Sequence, residues 1–450
     1  MTLIHRDFVL PARQRGQALI YGIFILFGAL AATFFLFNTG QLSAEKTKLV
    51  NTADAVAYSA GVMHARALNF DAYTNRALLA NETTMAQLVS ITSWIKYSRQ
   101  HSQRVLPLLC NTYYSIPIIT ATIKYEPLCL LMAYQGVSAV LSQVEPWVNQ
   151  GANVLAIATE AAKAELKLAQ FTVYADMLVA RNQTLRDVAN ANYKDDGTIS
   201  VDTIPLTDNW TLFDGGPFIS NHTGNQRARF RALEVNIVNK DEFVRNRSWT
   251  DDSPWPCIVL PIGHAEHRGS TVLQGYDSWR ATDDASFSVR KWRWSLFNSG
   301  CRQIGSYALG NAAKTAKSSG GDYYYSGVPN FYELSDKALG YTPDNPDVNK
   351  REPLLRFAIR LTRDKGQQKI SAGRSEIKPA GRLDLYGGNQ AGNKMAAVST
   401  SEVYFDRSYS PRAGGRKELA SLFNPFWQVH LVPNTAAVTT AALVLQGAGN

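Results

Sequence analysis

Charge, cysteine and recognisable catalytic signatures are all scarce in this 450-residue chain. Charged residues make up 18% against 45% hydrophobic, a balance that can bury a core and excludes wholesale disorder. The four cysteines include no C-x-x-C pair, which excludes a zinc knuckle and a dithiol redox motif. G-x-S-x-G, Walker A and a G-x-G-x-x-G in strand–helix context are all absent, so acyl transfer and nucleotide chemistry lack residues to carry them. There is no internal repeat and no low-complexity tract. The net charge is +9, yet Lys and Arg are spread thinly and form no dense basic stripe. Local clusters such as Arg227-Ala-Arg229-Phe-Arg231 and Arg290-Lys291-Trp-Arg293 fall in segments that read as strands. A diffuse excess of this kind attracts anionic surfaces non-specifically, and no nucleic-acid partner is expected.

What is present begins with a long apolar run. Ala18 to Phe37 reads ALIYGIFILFGALAATFFLF without a charged residue. Twenty residues at about 1.5 Å rise span roughly 30 Å, the hydrocarbon thickness of a bilayer. Ala18, Leu19, Ile20, Phe24, Leu26, Leu30, Phe34 and Phe37 are the expected lipid-facing anchor. The run exceeds the h-region of a cleaved signal, and no small-x-small site follows it, so the span is expected to be retained. Arg6, Arg13 and Arg15 precede it and Lys46 and Lys48 follow, a slight bias toward a cytoplasmic N-terminus with the bulk of the chain exported to the periplasm.

Cys110, Cys129, Cys257 and Cys301 permit three pairings. Cys110–Cys129 with Cys257–Cys301 is the economical one, since each pair lies within one structural unit. A bridge closing about twenty residues contributes on the order of 3 kcal/mol in the chain-entropy picture. Disulfides and export support each other.

Beyond the anchor, spacings of four and three alternate from Leu42 to Ile95, the pattern of a helix–helix seam. Its small residues imply close packing, with Ala53, Val56, Ala60 and Ala67 as the positions where the stem is expected to pack against similar stems of partner proteins and Asp54 as a polar contact within the stem. Gly61 and the Asn69–Asn81 stretch are expected points of bending or breakage. Pro107, Pro117 and Pro127 punctuate a tip holding Cys110 and Cys129. A second helix is expected from about Pro146 to Tyr193, with Leu155, Ala162, Leu166, Ala169, Val173, Met177 and Ala180 as its apolar face, running back along the first.

From about Asp195 the texture becomes that of antiparallel strands and irregular loops. The expected strands are Phe230–Val238, Ser286–Phe297, Leu354–Leu361, Ala396–Phe405 and Phe426–Val432, with turn-rich linkers at Gly320–Gly327 and Tyr341–Asn349 and a closing helix at Thr435–Leu445. The fold class is therefore α+β. Residues 1–17 form a basic tail, 18–37 a transmembrane helix, 38–194 a helical hairpin stem with a disulfide-clamped tip, and 195–450 a β-rich periplasmic domain.

Three tracts carry a family resemblance. Arg13-Gln-Arg15-Gly16-Gln17-Ala18 leads into the span. Lys46-Thr-Lys48-Leu49-Val50-Asn51-Thr52-Ala53-Asp54-Ala55-Val56-Ala57 follows it, and Ala65-Arg66-Ala67-Leu68-Asn69-Phe70-Asp71-Ala72-Tyr73-Thr74-Asn75-Arg76 continues. Together they resemble the Flp/Tad (tight-adherence) pilus-assembly TadE/G-like family, and the C-terminal Ser421-Leu422-Phe423-Asn424-Pro425-Phe426-Trp427-Gln428 is similar to a proteobacterial branch of it. The resemblance covers about one fifth of the chain. It implies a pilin-like component anchored in the bacterial inner membrane and facing the periplasm, with that membrane and other pilus-assembly proteins as partners; from the lack of catalytic motifs, no cofactor and no enzymatic activity are expected. Pilin-like substrates of the processing peptidase carry Glu five residues after the processed Gly; counted from Gly16, that position is Tyr21.

Two other functions have residues to consider. His264-Ala-Glu266-His267 offers two imidazoles three apart for a metal-dependent periplasmic hydrolase, although Gly263 and Gly269 point to a loop and no metal is expected there. Asp284-Ala-Ser286-Phe-Ser288 matches the D-x-S-x-S metal motif of larger relatives in form, but lacks the apolar strand that should precede it. Trp249, Trp255, Trp279, Trp292 and Trp294, with Tyr323, Tyr324 and Tyr325, enrich the middle of the chain in aromatics. These suit sheet packing, or alternatively the surface of a tethered adhesin that binds carbohydrate. Self-association is the remaining partner class left open.

Overall fold

A computed structural model describes residues 17–109, 136–204, 206–252, 256–258, 261–295, 297–339, 352–370, 373–376, 394–407 and 418–447. Its backbone element is α1 (Gln17–Leu109), an unbroken helix of 93 residues and thus roughly 140 Å long. The expected break at Gly61 or within Asn69–Asn81 does not occur. Gly61 serves a different purpose: a Cβ there would lie 2.4 Å from Val429 Cγ2 and 3.0 Å from Ser401 Cβ, so its bare face lets a sheet approach the helix.

Helix α2 (Gly136–Asn192) runs antiparallel to α1, so that Lys163 meets Glu82 and Arg181 meets His64. It starts ten residues before the expected Pro146, which sits inside it. Its buried stripe also differs from the apolar face read from sequence. Ala152, Ala156, Thr159, Glu160, Lys163, Gln170, Met177, Arg181, Leu185 and Ala189 point inward, while Leu155 and Ala180 are exposed. Counting apolar residues missed this stripe because four of its members are charged or amide side chains with buried partners.

Three antiparallel sheets clothe α1. The first, nearest the N-terminal end of α1, has the order β1-β8-β9-β10: β1 (Ser200–Thr203), β8 (Leu355–Asp364), β9 (Lys394–Phe405) and β10 (Trp427–Val432). A two-stranded ribbon pairs β2 (Ile219–His222) with β7 (Phe331–Leu334). The sheet farthest along α1 is a meander in the order β3-β4-β5-β6: β3 (Trp249–Asp252), β4 (Ile262–Gln274), β5 (Ser278–Arg293) and β6 (Gly300–Lys317). Short helices α3 (Ala228–Val238) and α4 (Glu242–Arg245) precede that meander, and α5 (Ala436–Leu445) closes the described chain with Thr435 as its cap.

Several expectations are corrected here. Phe230–Val238, read as a strand, is helical, because Phe230, Glu234 and Val238 fall on one face at a spacing of four and that face is buried. The Arg227–Arg231 cluster accordingly lies on a helical turn and α3 rather than in a strand. Gly320–Gly327 is no loose linker, since Tyr323 and Tyr325 are buried in the core beside Trp279. Tyr341–Asn349 lies outside the described residues. The expected strands at 354–361, 396–405 and 426–432 and the closing helix are present, and β5 covers the expected 286–297 strand as far as Arg293.

The core is partitioned along α1 rather than between a stem and a separate β domain. Nearest the apolar start of α1, Leu49, Ala53, Val56, Ala57 and Ala60 meet Leu185 and Ala189 of α2 and Phe357, Ile359 and Leu361 of β8. Midway, Ala65, Ala67 and Leu68 meet Trp210, Phe218, Leu334, Val403 and Trp427. At the far end, Leu78, Met85, Ala86 and Val89 meet Phe230, Val238, Trp279, Tyr325 and Phe331.

Candidate functional site: the anchor helix and its seat

The segment 18–37 is the apolar start of α1, long and apolar enough to cross a membrane, with none of its most apolar stretch buried. Ala18, Leu19, Ile20, Phe24, Leu26, Leu30 and Phe37 are exposed and Phe34 is half-buried. A soluble core helix of this composition would be covered; this one is bare. From Leu49 onward the same helix is held on most sides by the rest of the chain. Ala53, Val56, Ala60 and Ala67 are buried against the chain's own α2 and sheets, and Asp54 is half-exposed beside them.

Midway along α1 lies a polar joint. Asn69 Nδ2 donates to the Trp427 carbonyl at 3.0 Å, and Trp427 N donates back to Asn69 Oδ1 at 3.0 Å. One turn and a half later, Asn75 Nδ2 donates to the carbonyls of Tyr332 (2.8 Å) and Leu422 (2.6 Å), while Asn75 Oδ1 accepts from Gln170 of α2 at 2.8 Å. Arg76 Nε donates to the Phe423 carbonyl at 2.6 Å. Glu333, fully buried, accepts from Leu422 N at 2.7 Å and pairs with Arg229 at 3.1 Å. An α-helix has no free backbone groups of its own to bind a loop, so Asn and Arg side chains supply them. The tract 65–76 and the tract 421–428 are thus two halves of one joint. Burial and the nearby Glu333 push the Asp71 carboxyl well above its usual range.

Ion pairs fasten α1 and α2 on either side. Near the anchor, Arg363 meets Glu45 at 2.9 Å and Asp196 at 3.3 Å, and Lys48 meets Asp196 at 2.5 Å. Burial pushes the Asp196 carboxyl up, but hydrogen bonds from Lys48, Arg363 and Lys369 outweigh it and hold it below the ordinary carboxylate value. Farther out, Arg181 forks onto Asp208 at 3.0 and 2.7 Å, with its guanidinium over the Phe357 ring and 3.2 Å from His64. Burial, then the Arg181 charge, lowers the His64 pKa to about 3. Beyond the joint, Lys163 bridges Glu82 (2.9 Å) and Glu160 (2.6 Å), and Tyr325 donates to Glu82 at 2.6 Å. At the far sheet, Ser93 donates to Asp283 at 2.6 Å and Arg247 pairs with the same carboxylate at 2.8 Å.

The fold brings together neither the His264–His267 pair nor the D-x-S-x-S pattern as a metal site. His264–His267 lies on strand β4, not on a loop. Residues three apart on a strand face opposite sides, so His267 is buried against Tyr97 while His264 pairs with Asp252. One ion cannot be held by both. Asp284, Ser286 and Ser288 sit inside β5, in register with Arg268, Glu266 and His264, rather than on a loop at a sheet edge. Among the aromatics, Trp279, Tyr323 and Tyr325 are core, whereas Trp294 (81%) and Phe297 (94%) stand exposed. Trp255 lies outside the described residues.

Cys257 and Cys301 form a disulfide with a Cα–Cα distance of 6.0 Å, tying the β3–β4 connection to β6. Cys110 and Cys129 lie outside the described residues.

Residues 16–67 match the family model described as "Putative Flp pilus-assembly TadE/G-like". This segment comprises the apolar span and the first third of the buried helix. No curated protein and no solved structure matches the chain.

Proposed function

From the premise that residues 16–67 are a TadE/G-like pilus-assembly segment, we propose that this chain is a membrane-anchored, pilin-like component of a tight-adherence pilus system, acting by packing and contact and not by catalysis. The observation that carries the reading is the continuity of α1: one helix is bare and apolar over 18–37 and becomes the core of the folded body from Leu49. Such a helix makes the body and the anchor a single rigid object, so force or position at one end is transmitted to the other. The N-terminus lies in the cytoplasm and the body in the periplasm, in keeping with the disulfide between Cys257 and Cys301.

The α1 seam is occupied by the chain itself, so contacts with other pilus components fall elsewhere. The outer face of α2 is the surface available. Val154, Ile157, Leu168, Phe171 and Leu178 are exposed there with alternating separations that keep them on one side of the helix. Deletion of the gene is expected to abolish piliation, with restoration by the full chain and none by a chain lacking residues 18–37. Normal piliation in the deletion strain would rule the assembly role out.

One observation favours a second reading, a tethered adhesin: the exposed Trp294 and Phe297 beside the T-shaped Trp292–Trp294 pair. Binding of immobilised cell-surface glycans, lost on W294A, would support it; no binding by the full chain would dismiss it.

A further inference from the structure

From Ala285 to Gly321 the sequence carries no Asp or Glu. This stretch spans the outer half of β5 and all of β6, where the meander leaves α1. Asp283 is still held by Ser93, and Gly310, close to the register partner of Ala285, lies against Tyr97. Strand β4 ends at Ile262, opposite Arg290, and beyond it β5 and β6 continue as a two-stranded ribbon. Consecutive residues of β6, from Cys301 to Ile304 and from Ser306 to Ala308, are exposed, so both faces of the ribbon are open. Tyr97 lies roughly 90 Å beyond Phe37 along the helix, and the ribbon starts at that level.

One face of the ribbon gathers like charges. Lys291 stands directly opposite Arg302, and Arg293 follows two residues on along the same face. Neighbouring positions in this triangle are roughly 5–8 Å apart. All three side chains are exposed, and among the described residues none is paired with a carboxylate. Arg302 donates to the Asn298 carbonyl at 3.2 Å, which leaves its charge unneutralised. At the base of the ribbon Asp252 is already paired with His264. Like charges directly opposite each other destabilise a sheet, and an anion laid across them offsets that repulsion. Trp294 follows Arg293 directly and is 81% exposed, standing edge-to-face with Trp292 at 6.0 Å. Trp292 is fixed in turn: its N–H donates to the Cys257 carbonyl at 3.2 Å, and its cross-strand partner Cys301 is bonded to Cys257.

We infer that this ribbon binds an acidic polysaccharide, its carboxylates on Lys291, Arg293 and Arg302 and a sugar ring against Trp294. The inference rests on the adhesin reading and names the ligand class that reading leaves open. Lysine and arginine donate charge-assisted hydrogen bonds to carboxylates, and the apolar C–H face of a sugar ring packs on an indole. The bilayer holding residues 18–37 is out of reach, since the ribbon begins some 90 Å along α1 from it. A chain exported from the cytoplasm meets acidic glycans rather than nucleic acid.

The test uses the full chain in phosphatidylcholine nanodiscs, with binding measured to immobilised polygalacturonate and to its methyl ester, the same sugar without the charge. The acid should bind about tenfold or more tightly than the ester, the worth of one charge-assisted hydrogen bond, and added salt should narrow the gap. The triple variant K291Q/R293Q/R302Q should keep the parent's thermal midpoint, since all three side chains are exposed, and bind acid and ester alike. W294A should weaken binding to both. Equal binding of acid and ester by the parent chain overturns the proposal and leaves the adhesin reading standing, as does acid binding that survives the triple variant. Tighter binding of a single-stranded oligonucleotide or of phosphatidylglycerol vesicles, displacing polygalacturonate, also overturns it and reassigns the ribbon to that ligand. Failure to bind polygalacturonate overturns it as well, and the adhesin reading falls with it only if immobilised cell-surface glycans are not bound either.

Discussion

Asn69 and Trp427, 358 positions apart in the chain, exchange two hydrogen bonds of 3.0 Å, the amide of the one standing in for a strand neighbour of the other. Through this pair β10 is held on α1. Asn69→Ala leaves a buried N–H and C=O without partners and is expected to cost about 2–4 kcal/mol. Urea unfolding of the full chain in detergent measures it. A loss under about 0.5 kcal/mol would show that the joint is not held this way.

Gly61 permits the closest approach of the sheet to α1. Gly61→Val places carbon atoms where Val429 and Ser401 already lie, and overpacking of this kind costs about 1–3 kcal/mol or more. The neighbouring exposed Tyr58→Ala serves as the control, expected to change stability by less than about 0.5 kcal/mol.

Lys163 stands between two buried carboxylates. Lys163→Met leaves Glu82 and Glu160 without their cation, and breaking a buried pair from one side costs about 3–5 kcal/mol. Burial and the adjacent Glu82 already push the Glu234 carboxyl of the same cluster well above its usual range. Thermal unfolding in detergent should show a large drop in midpoint; an unchanged midpoint would mean water reaches this cluster.

Acid should loosen the body before it reaches the carboxylate range. Burial, then Arg181, lowers His64 to about 3, and burial, then His267, lowers His101 to about 4, both from 6.5. A folded pKa below the unfolded one means the unfolded chain binds more protons, so the stability is complete above pH 6.5 and falls as pH drops toward 3–4. At pH 5 each histidine removes on the order of 2 kcal/mol. Unfolding free energies measured between pH 7 and 5 should decline, and His64→Phe should flatten the slope by about half. A slope of zero in the parent chain contradicts the assignment.

The parts of this architecture legible in sequence are those where the residue type and its surroundings agree. The uncharged run 18–37 is long and apolar enough to cross a membrane and forms the bare start of α1, and the alternating residues of β8, β9 and β10 expose their period directly. Thr435 announces its helix by accepting from Val438 N. Other parts depend on partners remote in the chain. Glu160, Lys163, Gln170 and Arg181 look like a solvated helix face until Glu82, Thr74, Asn75 and Asp208 are placed opposite them. Gly269 reads as a loop signal, yet it lies within β4 because Asp283 and Arg247 fill the space a side chain would need. Phe230–Val238 alternates enough to imitate a strand, and only the burial of Phe230, Glu234 and Val238 together reveals its helical period.

The central claim is that residues 18–37 hold the body to a bilayer through a single uninterrupted helix. Cell fractionation with alkaline carbonate extraction tests it most directly, comparing the full chain with one lacking residues 1–37. The full chain should remain entirely in the membrane pellet and the shortened chain should be released as folded, soluble protein. Recovery of the full chain in the soluble fraction would contradict the account.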